Sequence, residues 1–331
     1  MRRLVFATQR VDANHPALAA TIPKIRALAK RVDELVVLAQ SAVDADVPEG
    51  VEVRTFDAPT QLRRGARFER ELADVLPADA VVAHMIPLYV VLAAPLVRPR
   101  RIPLVLWFTH WKASALLGTA ERLATAIVSV DQRSFPLESP KVRAIGHGID
   151  VSEFPCVPTR DRSPFRVLVL GRYSPAKGLR TILEAAREVD GVELELRGAA
   201  LNALEQEHRR ELEAYGVALG DAVPRAEIPR LFARTDALVN NMRAGAPDKV
   251  VYEAAAACVP VLASNPVFDE LFGELPLVFA RDEPASLAER LRWLSALSVQ
   301  ARSEIGRTLR ERVVACHSVD SWADGVLAAA A

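Results

Sequence analysis

The sequence carries no net charge, because 42 Lys and Arg are matched by 42 Asp and Glu. A nucleic-acid binder shows a basic excess, so the balance argues against that partner. Cysteines number three. Cys156, Cys258 and Cys316 are odd in number, far apart and in no C-x-x-C pair, so neither a disulfide framework nor a thiolate zinc site is encoded. The chain reads as reduced and cytosolic. Its six histidines form no H-E-x-x-H spacing. Neither G-x-G-x-x-G nor G-x-x-x-x-G-K-[ST] is present, which weakens nicotinamide-dehydrogenase and P-loop readings. Long apolar runs are also lacking. Residues 81–97 are uncharged but fall short of the ~20 residues a bilayer requires, and Pro87 and Pro95 interrupt them. They read as a buried strand and a buried helix. The N-terminal MRRLVFATQR has too short an apolar run for a signal peptide and reads as a first strand.

What is present is 331 residues at 50% hydrophobic content, enough for about two ordinary domains. Short Val/Leu/Ile runs recur with helical-period segments between them. In the first half the runs are 4–8, 35–39, 51–56, 81–84, 104–109, 127–130 and 142–145, with helices over 16–32, 61–76, 88–97 and 114–125. In the second half strands fit 166–170, 192–197, 238–241, 260–264 and 277–280, with helices over 179–189, 203–215, 228–233, 249–257, 286–297 and 302–316. Unbroken apolar strands each followed by a helix mark parallel sheets buried on both faces. The pattern runs twice, which predicts an α/β protein of two doubly wound, Rossmann-like parallel-sheet domains facing across a cleft. We place the N-terminal domain at 1–150, a Pro-rich charged linker at 151–165, the C-terminal domain at 166–317 and a last amphipathic helix at 318–331. Charge is divided between the halves: residues 1–150 hold 20 basic and 16 acidic residues, residues 151–331 hold 22 and 26.

In open parallel sheets ligands lie beyond the carboxyl ends of the strands. After the strand at 166–170 comes GRYSPAKGLR, which places Gly171, Arg172 and Lys177 at such an edge. Two fixed cations there can hold a diphosphate and stabilise the charge that grows on it as it leaves. Arginine is common in this chain, and a surface role suits Arg172 as well. Lysine is scarce at six, yet Lys249 occupies a second loop of the same kind. That loop, in NNMRAGAPDKVVYEAAAACVPVLAS, precedes a helix opening near Asp248. Exposed N–H groups around Lys249 and Val250 suit an anion. Glu253, four residues on, suits ribose hydroxyls, or a simple intrahelical ion pair with Lys249.

GRYSPAKG, followed about 70 residues later by GAPDKVVYEAAAACVPVLAS, resembles the donor-binding domain of the retaining GT-B glycosyltransferases of family 4. VFATQR, VLWFTHW and GHGIDVSEFP extend the resemblance over nearly the whole chain. The resemblance implies that Arg172 and Lys177 hold the donor diphosphate, that Glu253 binds the ribose and that His110 sits near the transferred sugar. It also implies that the helix at 318–330 packs on the N-terminal domain. Two positions depart from the pattern. The acidic residue expected eight positions before Glu253 is Gly245, with Asp248 displaced by three, and the glycine common where that helix ends is Cys258. An αL end at Cys258 would be strained. TQRVDANHPAL replaces the usual glycine-rich first loop, with His15 read as a loop-surface residue.

The resemblance implies transfer of a sugar from a nucleotide-diphosphate sugar to a hydroxyl of a sugar or lipid-linked acceptor, with retention and without metal or other cofactor. Asp44-Ala45-Asp46 matches the acidic D-x-D of metal-using glycosyltransferases, but it sits in a polar connector, and oxygen-ligand sites need several convergent carboxylates. The alternatives are a nucleotide-sugar epimerase or hydrolase on the same fold, or a non-catalytic scaffold that binds nucleotide sugars. Arg63, Arg64, Arg67 and Arg70 lie on one predicted helix. They suit peripheral contact with the inner face of a membrane, or a solvated helix face diluted by Glu69 and Glu71.

Overall fold

A computed structural model describes residues 1–15 and 18–331. Pro16 and Ala17, the start of the helix expected over 16–32, lie outside the described residues. Two compact units divide the chain, the first comprising Met1–Ile149 and Cys316–Ala331, the second Asp150–Ala315.

Along the first unit run β1 (Arg3–Val11), α1 (Thr21–Ala29), β2 (Glu34–Ala42), β3 (Glu52–Thr55), α2 (Gln61–Val75), β4 (Ala80–His84), α3 (Pro87–Val97), β5 (Leu104–Trp107), α4 (Ala115–Leu123), β6 (Ala126–Ser129) and β7 (Val142–Ala144). The strands form one parallel sheet in the order β3-β2-β1-β4-β5-β6-β7. Register is fixed by burial: Leu4, Val5, Phe6 and Ala7 are fully buried, and Leu4 pairs with Leu35 on one side and Ala80 on the other. Each large apolar side chain removed from water contributes roughly 1.5–3 kcal/mol, which is why short Val/Leu runs suffice to define these strands. Helix starts are set by side chains, with the Thr60 hydroxyl accepting from Arg63 N–H before α2 and the Ser114 hydroxyl accepting from Leu117 N–H before α4.

The second unit contains β8 (Phe165–Leu170), α5 (Leu179–Arg187), β9 (Val192–Arg197), α6 (Ala203–Glu213), β10 (Leu219–Gly220), α7 (Ile228–Phe232), β11 (Ala237–Asn240), α8 (Lys249–Ala256), β12 (Val261–Ala263), α9 (Asp269–Phe272), α10 (Pro284–Ala296) and α11 (Val299–Cys316). Its sheet is again parallel, ordered β10-β9-β8-β11-β12. The strand expected over 277–280 is corrected. Leu277 and Phe279 are buried on alternate positions, but Val278 makes one isolated bridge to Ala263 and the segment stops there. Two-residue β10 has no apolar run of its own to announce it.

The chain then returns to the first unit as α12 (Val319–Ala330), entered through a bridge between Ile149 and Ser318. Trp322 is fully buried there, 5.6 Å from the Trp107 ring and 6.4 Å from Phe6. The Lys24 ammonium lies 4.7 Å from the Trp107 ring and 5.1 Å from the Trp322 ring, within cation–π range of both. Gly146 has φ +78°, and a Cβ there would overlap the Cys316 carbonyl, so only glycine allows the returning chain this close.

The expectation of three reduced cysteines is also corrected. Cys156 and Cys258 form a disulfide with Cα atoms 4.9 Å apart, and Cys316 is a free, exposed thiol. A separation of 102 residues hides the pair from any local spacing rule. With a disulfide present, the cysteines no longer argue for a reducing compartment. Among the described residues no helix is long and apolar enough to cross a membrane.

Candidate functional site

Within the second unit, the residues singled out by sequence fall at the carboxyl ends of β8 and β11. β8 ends at Leu170, and the loop after it turns through Gly171 at φ +139°. A Cβ at Gly171 would overlap the Lys177 ammonium, so this glycine makes room for the lysine. Lys177 is 9% exposed; its Nζ donates to the Leu170 carbonyl at 3.4 Å and pairs closely with Asp248 Oδ2. Asn240, the last residue of β11, donates from Nδ2 to the same oxygen at 2.8 Å. Asp248 therefore stands at the start of α8 without capping it, because its carboxylate is drawn to Lys177 and Asn240 instead. Both bonds fall on Oδ2, and no protein donor among the described residues reaches Oδ1.

A second cluster sits on the body of α8. Glu253 is 2% exposed, and its Oε1 accepts from Arg225 Nη1 at 2.9 Å and lies 3.3 Å from Lys249 Nζ. The intrahelical Lys249–Glu253 pair weighed from spacing therefore exists, joined by an arginine that the spacing could not reveal. Val250 is buried in the first turn of the same helix. Arg172 is half-exposed, with Nη1 donating at 2.9 Å to Glu205 Oε1, while Glu205 Oε2 accepts from Leu201 N–H at 2.8 Å. A buried carboxylate thus fixes where the Arg172 guanidinium points. The loop between β11 and α8 is tied down by asparagines. Asn241 Nδ2 donates to the Gly178 carbonyl at 3.0 Å, and Asn265 Nδ2 donates to the carbonyls of Arg243 and Ala246 at 2.9 Å each.

Three comparisons bear on this geometry. No curated protein matches the sequence. Residues 172–328 match the family model described as glycosyl transferase-like. Solved structures match end to end. Anabaena Alr3699/HepE in complex with UDP-glucose superimposes with a TM-score of 0.78 at 19% identity, covering 99% of this chain and 100% of that one. The fold is GT-B. Sucrose-phosphate synthase from Thermosynechococcus elongatus gives a TM-score of 0.74 at 13% identity over 99% of this chain and 98% of that one. AviGT4, a glycosyltransferase involved in avilamycin A biosynthesis, gives 0.73 at 16% identity over 100% and 97%.

On this GT-B chain the remaining residues of interest lie in the first unit. His110 is exposed in the loop after β5, stacked on Trp111 with ring centroids 5.3 Å apart, and its Nδ1 accepts from Lys112 N–H at 3.0 Å. His15 is half-buried and accepts from Leu18 N–H at 3.1 Å. Asp46 Oδ2 accepts from Ala13 N–H at 2.8 Å, an ordinary connector contact. On α2, Arg64 is engaged by Asp57 at 3.3 Å and Arg67 donates to the Asp57 carbonyl at 2.9 Å, whereas Arg63 and Arg70 are exposed. Glu205, Arg225, Asn240 and Asn265 were not legible as site residues. Their bonds to Arg172, Glu253, Asp248 and Ala246 span 8 to 33 residues along the chain, and only Asn240, at a strand end, carried any local signal.

Proposed function

We propose that the protein is a glycosyltransferase that moves a sugar from a nucleotide-diphosphate sugar to a hydroxyl acceptor, with retention at the anomeric carbon and without metal. The observation that supports this reading is the buried Lys177 ammonium at the end of β8, held beside Asp248 at the start of α8. A fixed cation in a nearly dry site stabilises a diphosphate strongly and needs no reorganisation as charge develops on the leaving oxygen. Arg172, oriented by Glu205, adds a second cation, and the N–H groups at the start of α8 favour anionic oxygen. In the reaction the bond between the anomeric carbon and the diphosphate oxygen breaks and a bond to the acceptor oxygen forms on the same face. The acceptor proton passes to the departing phosphate oxygen, so no separate base is needed.

In this reading Asp248 takes over from the acidic residue missing at Gly245. Its Oδ2 is anchored by Lys177 and Asn240, which turns Oδ1 to the hydroxyls of the transferred sugar. Glu253 serves the ribose in the same manner, and His110 is read as the histidine near the transferred sugar. The acceptor is a sugar or a lipid-linked sugar.

The test is calorimetric titration of uridine and guanosine diphosphate. Wild type is expected to bind at least one of them, and Lys177→Ala to bind it about tenfold or more weakly, the usual effect of losing a charged hydrogen bond. Absence of binding by wild type to either diphosphate would sink the proposal. Donor turnover that is unaffected by any added acceptor would favour an epimerase or hydrolase instead.

A further inference from the structure

Arg225 is a strongly held cation of the second unit that has no part in the function proposed above. It opens the short turn before α7 and reaches back to two carboxylates at once. Nη1 donates to Glu253 Oε1 at 2.9 Å and Nη2 to Glu153 Oε2 at 2.5 Å, while the guanidinium lies 5.7 Å over the Phe154 ring. Burial lowers the pKa of this guanidinium, but Glu253 and Glu153 outweigh it and the net shift is upward, so the charge is permanent. Glu153 and Phe154 thus immobilise the arginine, and the arginine immobilises Glu253. Lys249 cannot do this alone, because an ammonium on a flexible stem attracts a carboxylate without fixing its plane, whereas a guanidinium fork does both.

The consequence lies in which oxygen is used. Arg225 and Lys249 both converge on Oε1 of Glu253, and no protein donor among the described residues reaches Oε2. A nearly buried carboxylate with one oxygen doubly held and the other unbonded is an acceptor fixed in direction.

We infer that Arg225 is the positioning residue of the nucleotide pocket: it clamps Glu253 through Oε1 so that Oε2 accepts the ribose hydroxyls, and thereby makes the protein select ribonucleoside over dideoxyribonucleoside diphosphates. The inference rests on the reading of Glu253 as the ribose carboxylate. It adds the group that aims that carboxylate and the substrate property that the aiming selects. A site whose buried acceptor is left unpaired rejects the ligand lacking the matching hydroxyl, so selectivity reports the aim directly.

The experiment compares binding of uridine or guanosine diphosphate, whichever wild type holds more tightly, with its 2′,3′-dideoxy form, on wild type, Arg225→Ala and Arg225→Lys. Melting curves confirm that each variant is folded. Wild type is expected to prefer the ribonucleotide by about tenfold or more, the range of a hydrogen bond to a charged group. Arg225→Ala is expected to lose most of that preference while changing affinity for the dideoxy form little. Arg225→Lys keeps the charge without the fork and is expected to lose preference too, which preserves the test if the alanine variant does not fold. Equal weakening of both ligands, with the preference intact, makes Arg225 merely structural and overturns the inference. So does wild type that binds both forms equally, and in that case the diphosphate grip at Lys177 still stands. Wild type that binds neither form overturns the reading of the site itself, and the inference with it.

Discussion

Two buried histidines illustrate how single side chains tie this protein to pH. Burial drives the His317 imidazole down to about 4, with Asp131 opposing the shift, from an ordinary value of 6.5. His84, fully buried and hydrogen-bonded to the Thr8 hydroxyl at 3.2 Å, is lowered well below that value by burial and by the neighbouring Lys24. Both rings are neutral in the folded protein over a range where the unfolded chain would protonate them. The unfolded state therefore binds more protons between about pH 6.5 and 4, and stability falls as pH falls through that window. Each such histidine contributes a slope of roughly 1.4 kcal/mol per pH unit. Urea midpoints at pH 7 and pH 5 should separate for wild type and separate less for His317→Gln; identical separation would contradict the assignment. At this scale the sequence singled out candidate residues but not what holds them. Lys177, Asp248 and Glu253 stand out because strand-end loops and helix starts are local patterns. Arg225 beside Glu253, and Glu205 beside Arg172, depend on how segments 28 and 33 residues apart meet, which no short window of sequence contains.

At the scale of elements, α8 is where the local rules bend. It carries Lys249 and Glu253, begins at Asp248 without a side-chain cap, and ends in Cys258 at φ +61°, the left-handed region that disfavours any residue with a Cβ. The expected strain at this helix end is present, and the disulfide to Cys156 joins the same residue to the segment that supplies Glu153 and Phe154. Val157 N–H donates to the Ala257 carbonyl at 2.9 Å, and Arg310 Nη1 donates to the carbonyls of Phe154 and Ala256, so hydrogen bonds repeat the covalent tie. Closing a loop of about 100 residues is worth up to about 5 kcal/mol in the chain-entropy account. Reduction should therefore lower the melting temperature of wild type, and an unchanged melting temperature would show that the bond contributes nothing. Among variants without the bond, Cys156→Ser with Cys258→Gly should exceed Cys156→Ser with Cys258→Ser by about 1 kcal/mol, since glycine accepts the left-handed backbone freely. Chemical denaturation of the two double variants decides this. Most strands and helices were legible because parallel strands buried on both faces need unbroken Val/Leu/Ile runs. The segment 277–280 misled because alternate burial of Leu277 and Phe279 imitates a strand where no extended ladder forms.

At the scale of the whole molecule, two parallel sheets share one chain that finishes in the unit where it began. α12 closes the first unit through Trp322, which fills the space between Trp107, Phe6 and Lys24. Trp322→Ala removes a fully buried indole and should cost about 3–5 kcal/mol, read as a lower denaturation midpoint of that unit. A change below about 1 kcal/mol would mean that α12 is not part of this core. The GT-B architecture explains why the candidate residues gather at strand ends, and the second unit presents a lysine, two anchored carboxylates and an oriented arginine at that edge. In the function proposed above, this edge grips a nucleoside diphosphate. A crystal structure of the protein with uridine or guanosine diphosphate tests it most directly. Diphosphate oxygens are expected within hydrogen-bonding distance of Lys177 Nζ and ribose hydroxyls on Glu253 Oε2; a nucleotide bound away from both residues would overturn the proposed function.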